Sequence, residues 1–141
     1  MFDRVIWFQA QQRPDATAIQ FQDEAFSYAR FVADIGRCAS WLTTRDLPKG
    51  SRALLYVPHP YVHWVLTVAL ALHGVISAAC ARASSQPADM KLVNAQVLFT
   101  SQLPAGPALA QTILIDQAWI DGLWSFSEAW PGSHARLGED P

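Results

Sequence analysis

The chain has 141 residues, of which 51% are hydrophobic and 16% charged, and its formal net charge is −2. That length fits one domain of ordinary size, and that composition can fill a sizeable core. A pI near 6.0, with Lys and Arg scattered singly, excludes the basic face that a nucleic-acid backbone or an anionic membrane surface would need.

Residues Phe2 to Gln12 read as a helix, stopped by Pro14, which cannot continue the backbone bonding. The N-terminal MFDRVIWFQAQQRPD has too short an apolar part for a signal peptide, and no small-residue cleavage site follows it. Thr17 to Phe21 alternates as a strand does, and a turn at Gln22 to Glu24 leads to a second short strand near Ala25 and Phe26. Ser27 is a good helix N-cap, after which Tyr28, Phe31, Ile35, Ala39 and Leu42 recur every three or four residues. That stripe predicts an amphipathic helix ending near Thr44, followed by a turn over Asp46 to Ser51. Arg52 to Val57 is short and apolar, as strands buried on both faces of a parallel sheet are.

Tyr61 to Cys80 holds no Asp, Glu, Lys or Arg, and about 20 apolar residues suffice to cross a bilayer. Pro58 and Pro60 open this run and Gly74 interrupts it, so the helix is expected over Tyr61 to His73 only. At 1.5 Å per residue it reaches about 20 Å, too short for a span. Val75 to Cys80 then suits another buried strand, which makes a strand–helix–strand crossover of a parallel sheet. Weaker repeats of the pattern follow: a short helix over Pro87 to Val93, strands over Gln96 to Thr100 and Gln111 to Asp116, and a loop over Leu103 to Ala108. The fold class is therefore α/β, a mostly parallel sheet flanked by helices with a small N-terminal β-hairpin. From Gln117 to Pro141 no period is visible, although Trp119, Trp124, Phe126 and Trp130 need something to pack on.

Catalytic motifs are scarce. There is no G-x-S-x-G elbow and no glycine-rich phosphate loop. His59 and His63 stand four apart, a weak metal lead set against the reading of one capping and one packed histidine. Asp23 with Glu24, and Glu139 with Asp140, read as solvated pairs. The tail aromatics read as a patch awaiting a neighbour or, alternatively, as the lining of an acyl pocket. Cys38 and Cys80 form no C-x-x-C pair and read as buried free thiols in a reducing cytosol, with one disulfide as the alternative. A soluble, cytoplasmic domain is expected, with neither nucleic acid nor membrane among its partners.

The order of these elements resembles the opening of the adenylate-forming ligases: acyl- and aryl-CoA synthetases, peptide-synthetase adenylation domains and luciferases. Pro14-Asp15, Ala18-Ile19, Ser27-Tyr28-Ala29-Arg30-Phe31 and Ala39-Ser40-Trp41-Leu42 carry the likeness, followed by Gly50-Ser51-Arg52-Ala53 and Gly74-Val75-Ile76. It covers roughly residues 12 to 100. The chain departs from the family at Val57-Pro58-His59-Pro60, where many members have Leu-x-Asn-Ser, and after Gly74, where Val-Pro-Leu-Asn-Pro is usual. The short segment between Thr100 and Gln111 is similar to a compact branch of the family.

The resemblance implies an ATP- and Mg²⁺-dependent ligase that forms an acyl-AMP and then a thioester with CoA or an acyl carrier protein. Arg82 is the nearest match to an arginine that meets a CoA phosphate in some members; the alternative is a solvated surface arginine. The closing Gly138-Glu139-Asp140-Pro141 resembles the residues just before the family's ATP loop. On that likeness residues 1–141 are a single incomplete domain, with nucleotide loop, acid pocket and mobile C-terminal domain beyond Pro141. The fragment would then be inactive alone, a scaffold for the remainder of the ligase chain and a possible homodimer contact. The alternative is a stand-alone, non-catalytic α/β interaction or binding module.

Overall fold

In the computed structural model, which describes residues 2–106 and 110–131, the chain runs α1 (Phe2–Gln12), β1 (Thr17–Phe21), β2 (Glu24–Ser27), α2 (Tyr28–Leu42), β3 (Arg52–Tyr56) and α3 (Pro60–Leu72). It continues with β4 (Ile76–Ala79), a 3-10 turn (Ala83–Ser85), α4 (Gln86–Leu92), β5 (Val97–Thr100), β6 (Gln111–Leu114), α5 (Gln117–Gly122) and a second 3-10 turn (Leu123–Ser125). β1 and β2 form the antiparallel hairpin, and the other four strands form one parallel sheet in the order β4-β3-β5-β6. The α/β class expected from the sequence is the class observed.

β3 explains the layering. Ala53, Leu54 and Leu55 are each only 1% exposed, and successive side chains leave a strand on opposite faces. Ala53 and Leu55 join Val97, Phe99 and Ile113 in the larger core, which α2 and α3 cover. Leu54 and Leu98 face the other way, into a smaller cluster with Cys80 and Met90 beneath α4. Each fully buried Leu, Ile or Phe contributes about 1.5–3 kcal/mol, so this two-sided strand anchors the fold. Cys38 lies in the first cluster and Cys80 in the second, and both are free thiols.

Helix ends follow their caps. The Ser27 hydroxyl accepts from the Arg30 amide at 3.1 Å and starts α2. α2 stops at Leu42, two residues before the expected Thr44. There the hydroxyls of Thr43 and Thr44 donate to the carbonyls of Ser40 and Trp41, each at 2.6 Å, and close the chain into turns. α3 begins at Pro60, in the first turn where proline's missing N–H costs nothing. It ends in a Schellman cap: Gly74 takes φ +78°, its amide donates to Ala71, and the amide of Val75 reaches back to Leu70. Among the described residues no helix is long and apolar enough to cross a membrane.

Where the sequence shows no period, the tail still forms α5 and a 3-10 turn. Asp116 caps α5, its carboxylate accepting from the Trp119 amide at 3.0 Å. The following segment lies across α2: Ser40 Oγ donates to the Ser127 carbonyl at 2.9 Å, and Trp130 Nε1 to the Val32 carbonyl at 2.9 Å. The tail aromatics therefore pack mostly within this chain rather than awaiting a neighbour. Trp130 is 3% exposed and meets Trp7 edge-on, and Trp119 meets Trp41 in the same way. Trp124 stays exposed.

Candidate functional site

α2 projects Arg30, Asp34 and Arg37 along one stripe, because residues three and four apart share a helix face. Asp34 binds three groups. It accepts from Arg37 Nη1 at 2.8 Å and from the Tyr61 hydroxyl at 2.5 Å, and it pairs with Arg30 Nε at 3.5 Å. Arg37 also donates to Glu128 at 2.5 Å, and its guanidinium lies 4.3 Å from the centre of the Trp124 ring. Tyr61 stacks on Phe26 with ring centres 3.7 Å apart, and Arg30 covers the Phe26 ring at 4.8 Å.

These groups form one side of a cleft of about 270 Å³; Trp119, Ile120, Leu123 and Trp124 form the other. Of the tail aromatics, Trp119 and Trp124 line this pocket and Phe126 and Trp130 do not, while His59 lies on its wall. Sequence reading missed the charged triad. Its signal was the spacing of Arg30, Asp34 and Arg37 beside an apolar stripe, which reads equally well as a solvated helix face.

Burial, then the hydrogen bond to Asp34 and its charge, push the Tyr61 phenol well above its ordinary value of 10.0, with Arg30 and Arg37 opposing. The fold therefore holds the proton more tightly than the unfolded chain does. This contribution is complete below pH of about 10 and declines as pH rises, by up to about 1.4 kcal/mol per pH unit. Tyr61→Phe is expected to cost about 1 kcal/mol at neutral pH and to flatten the alkaline loss. Urea midpoints of both proteins from pH 8 to about 11 test this, and parallel pH slopes would refute it.

A second place of interest lies at the carboxyl ends of the strands. From β3 the chain crosses to β4 on one side, whereas from β5 it continues to β6 on the other. The crevice between β3 and β5 is thus a topological switch point, where open α/β sheets take their ligands. Arg82 follows β4 at this end of the sheet and is exposed. Its carbonyl accepts from the Ser85 hydroxyl at 2.9 Å and the Cys80 thiol at 3.1 Å, while its guanidinium makes no hydrogen bond or ion pair among the described residues. Gln86, completely buried, ties this turn to the next strand end by donating to the carbonyls of Ala83 at 3.0 Å and Gln102 at 2.9 Å. Nothing in the sequence pattern singled Gln86 out.

His59 and His63 do not converge on a metal. His59 is the N-cap of α3 and packs edge-on against Phe21, with centres 4.9 Å apart. His63 is half-buried beside Trp64, and burial lowers its pKa. No three His, Cys, Asp or Glu side chains gather among the described residues. Gly138 to Pro141 lie outside them.

The model of the AMP-binding enzyme family matches residues 6–129. The chain belongs to that family. Its fold also matches part of larger adenylation-domain structures. An artificially fused adenylation–PCP di-domain, NpsA-ThdA from Klebsiella oxytoca, superposes with a TM-score of 0.76 at 14% identity, over 93% of this chain and 25% of that one. The Klebsiella oxytoca NpsA N-terminal subdomain in complex with 3-hydroxybenzoyl-AMSN gives 0.74 at 15% identity, over 92% of this chain and 33% of that one. NpsA in complex with 3-hydroxyanthranilyl-AMSN gives 0.74 at 15%, over 93% and 27%. The chain thus spans between a quarter and a third of those structures. No curated protein matches it significantly.

Proposed function

We propose that residues 1–141 form the N-terminal wall of an ATP-dependent ligase that joins a carboxylic acid to AMP and then passes the acyl group to a thiol. The family match over residues 6–129 carries this reading. Structural neighbours bound to acyl-AMSN compounds favour adenylate formation, and one fused to a PCP domain favours a carrier-protein acceptor, with CoA as the alternative. In the AMP-binding family ATP supplies the adenylate, and Mg²⁺ would neutralise its phosphates. The described residues hold no cluster suited to a metal, so the reading assigns no Mg²⁺ ligand to them. Arg82 suits a CoA phosphate, being an exposed guanidinium just after β4, at the carboxyl end of the sheet.

ATP–pyrophosphate exchange by the longest native form of the protein, over a panel of aryl and aliphatic acids, is the test. Acid-dependent exchange is expected. Arg82→Gln is expected to leave that exchange unchanged and to raise KM for CoA about tenfold, as loss of one charge-assisted contact does. Absence of both exchange and ATP binding across the panel would overturn the reading and leave a non-catalytic α/β module.

A further inference from the structure

We propose that the cleft between α2, α3 and α5 binds an uncharged aromatic alcohol, with its hydroxyl between Arg30 and Glu24 and its ring among the apolar walls. The proposal does not rest on the ligase reading, and its test needs neither ATP nor a thiol.

Two side chains define the polar end. Arg30 and Glu24 both line the cleft, and they are 46% and 57% exposed. Their ion pair, Nη1 to Oε2, is 3.7 Å long, beyond hydrogen-bond reach. The other pair of Arg30, Nε to Asp34 at 3.5 Å, is also too long for a strong bond. Arg30 therefore keeps N–H groups to donate and Glu24 keeps lone pairs to accept, with a gap between them. One oxygen at about 2.8 Å from each closes that gap. A hydroxyl does so, because it accepts through its oxygen and donates its proton. Water can do the same, and an alcohol takes its place with a hydrocarbon body attached.

Charged ligands fit worse. A carboxylate that reaches Arg30 meets Glu24 and Asp34, which flank it. An ammonium that reaches Glu24 meets Arg30, and Arg37 lines the same cleft. The deeper pair offers neither ion a partner. Asp34 is already engaged by three groups, and Arg37 by Asp34 and Glu128. An uncharged hydroxyl meets no such repulsion.

The remaining walls set the body of the ligand. Val62, Val65, Ile120 and Leu123 present apolar surface from both sides, which rewards a hydrocarbon group. A cavity of about 150 Å³ already holds benzene, so the 270 Å³ here admits one ring with a short arm.

The full chain is titrated with 3-phenylpropan-1-ol while the indole N–H resonances of Trp119 and Trp124, which line the cleft, are followed. Its carboxylate, amine and methyl ether counterparts are titrated alongside: 3-phenylpropionate, 3-phenylpropylamine and 3-phenylpropyl methyl ether. The ether accepts a hydrogen bond but cannot donate one. Saturable shifts at both indoles are expected with the alcohol, and binding weaker by about tenfold with each of the others. Glu24→Ala removes the acceptor. It is expected to bring alcohol and ether within about twofold of each other and to tighten the acid by about threefold. Should that variant fail to fold, the comparison of alcohol with ether on the unaltered chain decides the matter. Shifts that never saturate, or equal binding of the acid, the amine or the ether, would each overturn the proposal. So would an alcohol preference over ether that Glu24→Ala leaves at about tenfold.

Discussion

Gly36→Ala is expected to lift the tail from α2 and to cost about 3 kcal/mol of stability, the upper end of what overpacking costs. On helix propensity alone the same change should help, since alanine is favoured over glycine by about 1 kcal/mol in a helix interior. Packing reverses the sign. A Cβ on Gly36 would stand 1.7 Å from the Glu128 carbonyl oxygen and 2.4 Å from its carbon. Both are backbone atoms that no rotamer change can move. The tail must retreat, giving up the Ser40–Ser127 and Trp130–Val32 hydrogen bonds and uncovering Trp130.

Gly122→Ala is the matched control. Its φ is −65° and nothing lies within 4 Å of the added Cβ, so a gain of about 0.5 kcal/mol is expected from the less flexible unfolded chain. Urea denaturation followed by tryptophan fluorescence, with hydrogen exchange over residues 123–131, reads both effects. Should Gly36→Ala keep the native midpoint and native protection there, the close approach of the tail to α2 is wrong.

How much of this was legible beforehand depended on the range of the forces involved. The alternation of strands and helices, the Ser27 cap and the break at Gly74 are local, and they were read from neighbouring residues. So was the length of α3, because Pro60 and Gly74 bound it. The course of the tail was not legible. No pattern announced α5, whose cap Asp116 reads in the sequence as the end of a strand, and the contact between Gly36 and Glu128 joins residues 92 positions apart in the numbering. Isolated glycines in a helix give no sign of what lies above them. Likewise the cleft is built from β2, α2, α3 and α5 together, so no single stretch contains it. Arg82 shows the reverse case. Its place beside β4 followed from element order alone, yet its role depends on a ligand that no residue pattern describes.

Asp34→Asn carries the second large effect, a loss of about 2–4 kcal/mol, close to the cost of breaking a buried ion pair from one side. Asparagine keeps the shape and one acceptor oxygen but removes the charge. Two cations and a buried phenol then share one neutral acceptor. Arg37, 9% exposed, keeps only Glu128, which is 60% exposed and holds its partner weakly because water and salt screen it. Two comparisons separate a buried electrostatic centre from a merely crowded one. Glu128→Gln is expected to cost under about 1 kcal/mol, and less still in high salt. The Asp34→Asn loss is expected to persist largely at about 1 M NaCl, since the side chains of Asp34 and Arg37 are only 14% and 11% exposed and partly buried pairs are screened much less than surface ones. Urea midpoints at low and high salt measure both. If Asp34→Asn were as mild and as salt-sensitive as Glu128→Gln, the stripe on α2 would be an ordinary solvated helix face. Arg30 would then have no fixed carboxylate to hold it over Phe26.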